Sequence, residues 1–306
     1  MIINAINGLC MAVADSVPGV SGGTVAFILG FYDRFIDALH YLFHGTRKEK
    51  LRAFKYLVNM GVGWCIGMIS CVLLLSRLFE KNIYLMSSVF LGLTLASIPF
   101  VIAAEKKNLS LRPADIAFAV AGCAVVVAMT LLRSSTGSIG NLDFLALQPL
   151  HYIYIILCGM VAISVMVLPG ISGSTVLLIA GIYIPTIEAV RKLSHMEIAV
   201  LPGILALGAG VVLGVFVSVP LIRTALVRHR SKMVFFITGS MAGSLFSIIM
   251  APVSLSAENP PLSFDTLVIS AVLAGIAVLL AMEKLRVMTK KKENAAEKPE
   301  HVENEA

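Results

Sequence analysis

Charge is what this chain has least of. Only 14% of its 306 residues are Asp, Glu, Lys or Arg, while 58% are hydrophobic, and the mean hydropathy is +0.91. A soluble domain carries roughly 25% charged residues, so the polar surface of one is missing and the chain reads as an integral membrane protein. Cysteine is sparse and unsuited to chemistry. Cys10, Cys65, Cys71, Cys123 and Cys158 lie in apolar stretches and form no CxxC. An odd number cannot all pair, so they read as small core residues. His40, His44, His151, His195, His229 and His301 fall in loops, span ends or the tail. No His/Asp/Glu pair has ligand spacing, and no G-x-x-x-x-G-K-[ST] occurs. Neither a metal, nor a cofactor, nor ATP-driven pumping by this chain is expected. No basic start precedes the apolar stretch Met1–Val13, so it does not read as a cleaved signal.

What the chain does have is a duplication. Pro18-Gly19-Val20-Ser21-Gly22-Gly23-Thr24-Val25 recurs as Pro169-Gly170-Ile171-Ser172-Gly173-Ser174-Thr175-Val176. Ile28, Gly30, Tyr32, Ile36 and Ala38 recur as Ile179, Gly181, Tyr183, Ile187 and Ala189 at the same spacing of about 150 residues. A Pro/Gly break between apolar runs, once per half, marks a transporter site built from broken helices.

A helix needs about 20 apolar residues to cross the hydrocarbon core. Stretches near 56–78, 84–104, 113–133, 200–222, 232–251 and 264–285 qualify. The motif-bearing regions 1–40 and 150–190 are each either two full helices with a tight turn or a re-entrant hairpin. In both cases the chain leaves on the side it entered. The expected fold is an all-α polytopic membrane protein of two repeats, 1–133 and 150–287. An external linker (134–149) joins them, and a charged, disordered tail (288–306) follows. Three crossings follow each hairpin, and three is odd, so the repeats are expected to be inverted.

Charge placement tests that count. With the N-terminus in the cytoplasm, segments 34–55, 105–112, 223–232 and the tail from Lys284 hold 19 of the 24 Lys and Arg residues. The external loops hold only Arg77, Lys81, Arg133, Arg191 and Lys192. This follows the positive-inside rule and puts both termini in the cytoplasm. It also explains the net charge of +6 without nucleic acid.

Proline removes a backbone donor and glycine permits unusual dihedrals, so each motif reads as a helix break followed by a helix start. Ser21 and Ser172 are N-cap candidates. Irregular backbone at membrane depth survives where it is buried or lines a wet cavity, and a helix start there offers N–H groups to a phosphate or carboxylate. The substrate-binding candidates are Pro18, Gly19, Ser21, Gly22, Gly23, Thr24, Pro169, Gly170, Ser172, Gly173, Ser174 and Thr175. The bland alternative, a helix-packing motif of small residues, would be favoured by one copy but not by two. Asp15, three residues before Pro18, is a candidate for coupling to a proton or for capping a helix; its repeat partner is Met166. Arg34 reads as a headgroup contact or a side chain snorkelling to the interface. Asp33, Asp37 and Glu188 look interfacial, with Glu188 the least surrounded by other charge.

Gly19-Val20-Ser21-Gly22-Gly23 also fits the G-x-S-G of intramembrane serine proteases, but no histidine in a span can serve as base. A small-anion carrier or channel would share the helix-terminus site and is the serious rival.

The run Ala14-Asp15-Ser16-Val17-Pro18-Gly19-Val20-Ser21-Gly22-Gly23-Thr24, then Phe27-Ile28-Leu29-Gly30-Phe31-Tyr32, resembles the polyprenyl-phosphate transporter family of bacterial and archaeal membrane proteins. That family was formerly a domain of unknown function. Leu168-Pro169-Gly170-Ile171-Ser172-Gly173-Ser174, with Gly181-Ile182-Tyr183, is similar to its second motif. The likeness spans nearly all of the chain except the tail. It implies a plasma-membrane translocase that returns undecaprenyl phosphate from the outer to the inner leaflet for cell-envelope polymer synthesis. The implied partners are that lipid and the surrounding bilayer; a coupling proton or ion is the expectation that Asp15 adds.

Overall fold

A computed structural model describes residues 2–15, 21–135, 142–255, 259–281 and 284. Pro18, Gly19 and the tail therefore lie outside the described residues. Among the described residues there are helices and turns and no strand. Among the described residues, five helices are long and apolar enough to cross a membrane: Asn82–Asn108, Pro113–Leu132, Pro149–Met166, Ile198–Arg228 and Arg230–Ile249. A bent pair, Gly173–Ile179 with Tyr183–Leu193, would make a sixth.

The first half opens with α1 (Ile2–Asp15), the seven-residue α2 (Gly22–Ile28) and α3 (Tyr32–His44). α4 (Arg47–Glu105) and α5 (Pro113–Ser135) follow. The second half repeats the plan. α6 (Pro149–Met166), the seven-residue α7 (Gly173–Ile179) and α8 (Tyr183–Ser194) precede α9 (Leu201–Arg228), α10 (Arg230–Ile249), α11 (Ala251–Leu255) and α12 (Ile269–Ala281). α12 begins at Ile269, after the expected start at 264. After each seven-residue helix the chain turns through a left-handed glycine, Gly30 at φ 72° and Gly181 at φ 71°, a conformation that costs glycine nothing. The axes of α7 and α8 differ by 104°.

α4 joins the two expected spans 56–78 and 84–104 into one element with non-helical backbone at Asn82 (φ −143°, ψ 52°). Straight, its 59 residues would rise about 88 Å, nearly three times the hydrocarbon core. It folds into two limbs instead. The Arg34 guanidinium on α3 lies 5.1 Å from the Tyr56 ring centre, near the start of the first limb. Arg230 ties Asp33 of α3 to Glu105 at the end of the second. Both outer ends of α4 thus lie beside α3. Where α4 begins, Glu49 accepts the Thr46 N–H at 2.8 Å and its hydroxyl at 2.7 Å. Those two bonds hold the Glu49 carboxyl below its ordinary range.

Packing repeats as faithfully as sequence. A methyl group on Gly63 would strike the Ala5 carbonyl, and one on Gly67 would lie 2.9 Å from Leu9 O. In the second half, Gly210 meets the Ile156 carbonyl and Gly214 lies 2.7 Å from Met160 O. Ala5, Leu9, Gly63 and Gly67 are matched by Ile156, Met160, Gly210 and Gly214, so α1 on α4 and α6 on α9 are the same contact twice. In both, residue numbers rise together, so each pair runs parallel. The later helices are exchanged between halves: Gly122 and Gly239 bring α5 against α10, and Gly92 and Gly275 bring the second limb of α4 against α12. The largest buried apolar cluster, with Tyr32, Ile36, Ile237 and Met241, fills the centre where both halves meet.

The two ends of the molecule differ. At one, Arg223 and Arg230 meet Asp37, Asp33 and Glu105, and the Ser110 N–H donates to Ser231 Oγ at 2.9 Å. At the other, the Tyr84 hydroxyl donates to Pro260 O at 3.1 Å, while Phe144, Ala189 and Val200 form a separate apolar cluster.

Candidate functional site

The two motifs meet, although about 150 residues separate them. The Gly170 N–H donates to Thr24 Oγ1 at 2.8 Å. The Tyr32 hydroxyl donates to Val167 O at 3.0 Å. A β-carbon on Gly23 would lie 3.3 Å from Val167 O and 3.4 Å from Pro169 Cα. All three contacts run from the first half to the broken backbone of the second. A break at membrane depth leaves donors and acceptors that lipid cannot satisfy, and here first-half side chains take them up. Gly170 has φ +89°, and a β-carbon there would sit 2.8 Å from Ser240. Only glycine suits that dihedral and that approach.

The two helix starts are not equivalent. At α2, Ser21 is the N-cap, and its Oγ accepts the Gly23 N–H at 3.2 Å. Asp15 Oδ1 accepts the Gly22 N–H at 2.7 Å. Asp15 Oδ2 accepts the Trp64 indole N–H at 3.0 Å. The capping alternative for Asp15 is thus what the geometry displays. Ser21 and Thr24 are both buried, and no histidine bonds Ser21 among the described residues. At α7, Ser172 makes no cap bond; its hydroxyl pairs with that of Ser174 at 2.7 Å. Among the described residues, no acceptor meets the N–H of Gly173 or Ser174. Met166 takes the place of Asp15, and a β-carbon on Gly173 would meet it at 3.1 Å.

This open helix start faces a cavity of about 200 Å³. It is lined by Asp15 and Trp64, by Ser172, Gly173 and Ser174, and for the rest by apolar side chains such as Ile163, Met166 and Leu177. A second space of about 20 Å³, bounded by Gly170, Ser172, Thr175, Thr130 and Ser247, is water-sized. The structure therefore brings together Asp15, Ser21, Gly22, Gly23, Thr24 and the second motif. Arg34 lies over Tyr56 instead, and Glu188 is exposed on α8; neither lines these cavities. Among the described residues no group of three or more His, Cys, Asp and Glu could hold a metal ion.

Trp64 and Tyr32 were not among the sequence candidates. Trp64 is the chain's single tryptophan and sits in an apolar span, a signal that was there to read. Tyr32 recurs as Tyr183, but a repeat does not say which carbonyl a hydroxyl will meet.

The family described as undecaprenyl phosphate translocase-like matches residues 11–262. A polyprenyl-phosphate transporter of Staphylococcus aureus is 31% identical over 246 residues, covering 80% of this chain and 85% of that protein. A polyprenyl-phosphate transporter of Vibrio cholerae is 29% identical over 321 residues, covering 91% and 95%. No solved structure matches the chain.

Proposed function

The chain belongs to the undecaprenyl phosphate translocase-like family, and from that premise we propose that it carries undecaprenyl phosphate across the plasma membrane. The direction is outer to inner leaflet, returning the lipid carrier for synthesis of peptidoglycan and other envelope polymers. The observation that carries this reading is the cavity of about 200 Å³ between the second motif and the Asp15–Trp64 pair of the first half, with the uncapped start of α7 on one wall. It is smaller than the roughly 300–1,000 Å³ of pockets that enclose a drug-sized ligand. A phosphate fits it and a long prenyl chain does not, so the chain stays in the bilayer. The likeness to relatives named polyprenyl-phosphate transporters favours a lipid headgroup over a free anion in this seat.

The phosphate seat is formed by the N–H groups of Gly173 and Ser174 with the hydroxyls of Ser172 and Ser174, and Thr175 stands at the water-sized space beside it. Pro169 and Gly170 shape it, and Ser21, Gly22, Gly23 and Thr24 hold it from the first half. Pro18 and Gly19 belong to the first break by sequence. Asp15 faces the seat and is the group through which a proton would couple.

The halves are inverted. What supports this is that α1 runs with the first limb of α4, away from the end that carries Arg223 and Arg230, whereas α6 runs with α9 toward it. By the positive-inside rule that end is cytoplasmic. Movement of one half against the other then exposes the seat alternately. The test is transport of undecaprenyl phosphate in liposomes by the protein and its Gly173→Leu variant. Equal rates would refute the seat.

A further inference from the structure

Three ion pairs at the basic end join the two halves. Arg223 Nε on α9 meets Asp37 Oδ1 on α3 at 2.6 Å, and its Nη2 donates to the Tyr41 hydroxyl at 3.2 Å. Arg230, which opens α10, donates from Nη1 to Asp33 at 2.7 Å and from Nη2 and Nε to both Glu105 oxygens at 2.5 and 3.1 Å. The acids belong to α3 and α4, the arginines to α9 and α10. Arg230, Asp33 and Glu105 also line a cavity of about 260 Å³. Its buried wall is Phe27 and Ile28 of α2 with Val101, while Asp33 is 54% exposed. The ion pairs are thus the outer rim of a space whose floor is the short helix after the first break.

This rim has no twin. The register that matches Gly67 to Gly214 and Val89 to Phe236 matches Ser76 to Arg223 and Ile83 to Arg230. The register of the hairpins matches Ile184 to Asp33 and Glu188 to Asp37. A frame duplicated down to its glycine contacts therefore carries these arginines at one end only.

We propose that Arg223 and Arg230, with Asp33, Asp37 and Glu105, form an ionic latch that closes the basic end of the interface between the halves over this cavity. The latch rests on the transporter reading above, because it matters only if the halves move. In a two-state protein, contacts made in one state alone set the populations. A single partly exposed pair does little. The Arg230 fork to Glu105 is bidentate, the stronger geometry. The latch thus biases the resting protein toward the state shut at this end.

The experiment places one reporter, Val101→Cys, in a background lacking the five native cysteines. Val101 is 2% exposed and lines the cavity. Its labelling rate with a membrane-impermeant maleimide is read in purified protein. Asp33→Asn with Asp37→Asn should raise the rate about two- to fivefold, the range for losing partly exposed pairs. The exchange of Asp37→Arg with Arg223→Asp should restore the slow rate that either change alone loses. An unchanged rate in the double Asn variant, or no restoration by the exchange, overturns the latch. Labelling needs no transport, so failure of the latch and failure of the transporter reading are separately visible.

Discussion

Thr24 and Gly170 belong to opposite halves of the chain, and the second accepts its place from the first: the Gly170 N–H donates to Thr24 Oγ1 at 2.8 Å within a buried contact. A broken helix is thereby completed by a side chain from its own repeat partner. The hydroxyl is essential to that contact, because it replaces an acceptor that an intact helix would have supplied.

Thr24→Val should leave the Gly170 N–H buried without a partner, a cost of about 1–3 kcal/mol. The expected outcome is a lower thermal midpoint in detergent, largely recovered in Thr24→Ser. Equal midpoints for Val and Thr would mean that water or another group takes the donor.

Tyr32→Phe removes only the bond to Val167 O. A net loss of about 1 kcal/mol should leave the fold intact while slowing transport, because the second break loses its tether. A double variant with Thr24→Val should be non-additive, since neighbouring sites that share one backbone segment couple. Strict additivity would separate the two contacts.

Glycine substitutions divide by face. Gly63→Ala and Gly210→Ala drive a methyl into the Ala5 and Ile156 carbonyls, and overpacking costs about 1–3 kcal/mol. Gly61 and Gly208, two residues earlier in each helix, have nothing within 4 Å. Their Ala variants should unfold at the parent temperature or slightly above. Thermal unfolding of all four tests the duplicated contact at once, and equal effects at 61 and 63 would contradict it.

The lone tryptophan is a built-in probe. Trp64 lines the cavity and donates to Asp15, so a short-chain prenyl phosphate should change its emission saturably. Gly173→Leu, which fills the cavity against Ala162 and Met166, should abolish that change. Asp15→Asn should alter the pH dependence of transport. Transport and pH profile identical to the parent would remove Asp15 from coupling.

Much of this arrangement was legible in the residues, and the rest was hidden for physical reasons. The Glu80-Lys81-Asn82 interruption marks where α4 bends, because charge is costly inside the bilayer. Gly30 and Gly181 announce the turns by their shared position in the repeat. What no periodicity reveals is which half supplies the partner. Thr24 and Thr175 look equivalent in sequence, as do Ser21 and Ser172, yet Ser21 caps its helix and Ser172 does not. The difference tracks Asp15 against Met166, one substitution within a faithful duplication. Arg223 and Arg230 read only as cytoplasmic charge, since the positive-inside rule counts residues and does not pair them. Gly61 and Gly63 are likewise indistinguishable until a neighbour is placed beside one of them.

The most direct test of the central claim is headgroup translocation by the purified protein in liposomes loaded with undecaprenyl phosphate, beside its Gly22→Leu and Gly173→Leu variants. A β-carbon on Gly22 would lie 2.7 Å from the Asp15 carboxylate and one on Gly173 would lie 2.9 Å from Ala162 O, and both Asp15 and Ala162 line the cavity, so both variants disturb the site. The account predicts protein-dependent loss of the phosphate from one leaflet, absent in both variants although they insert and fold. Loss at the parent rate in both variants, or none with the parent protein under any pH gradient, would contradict it.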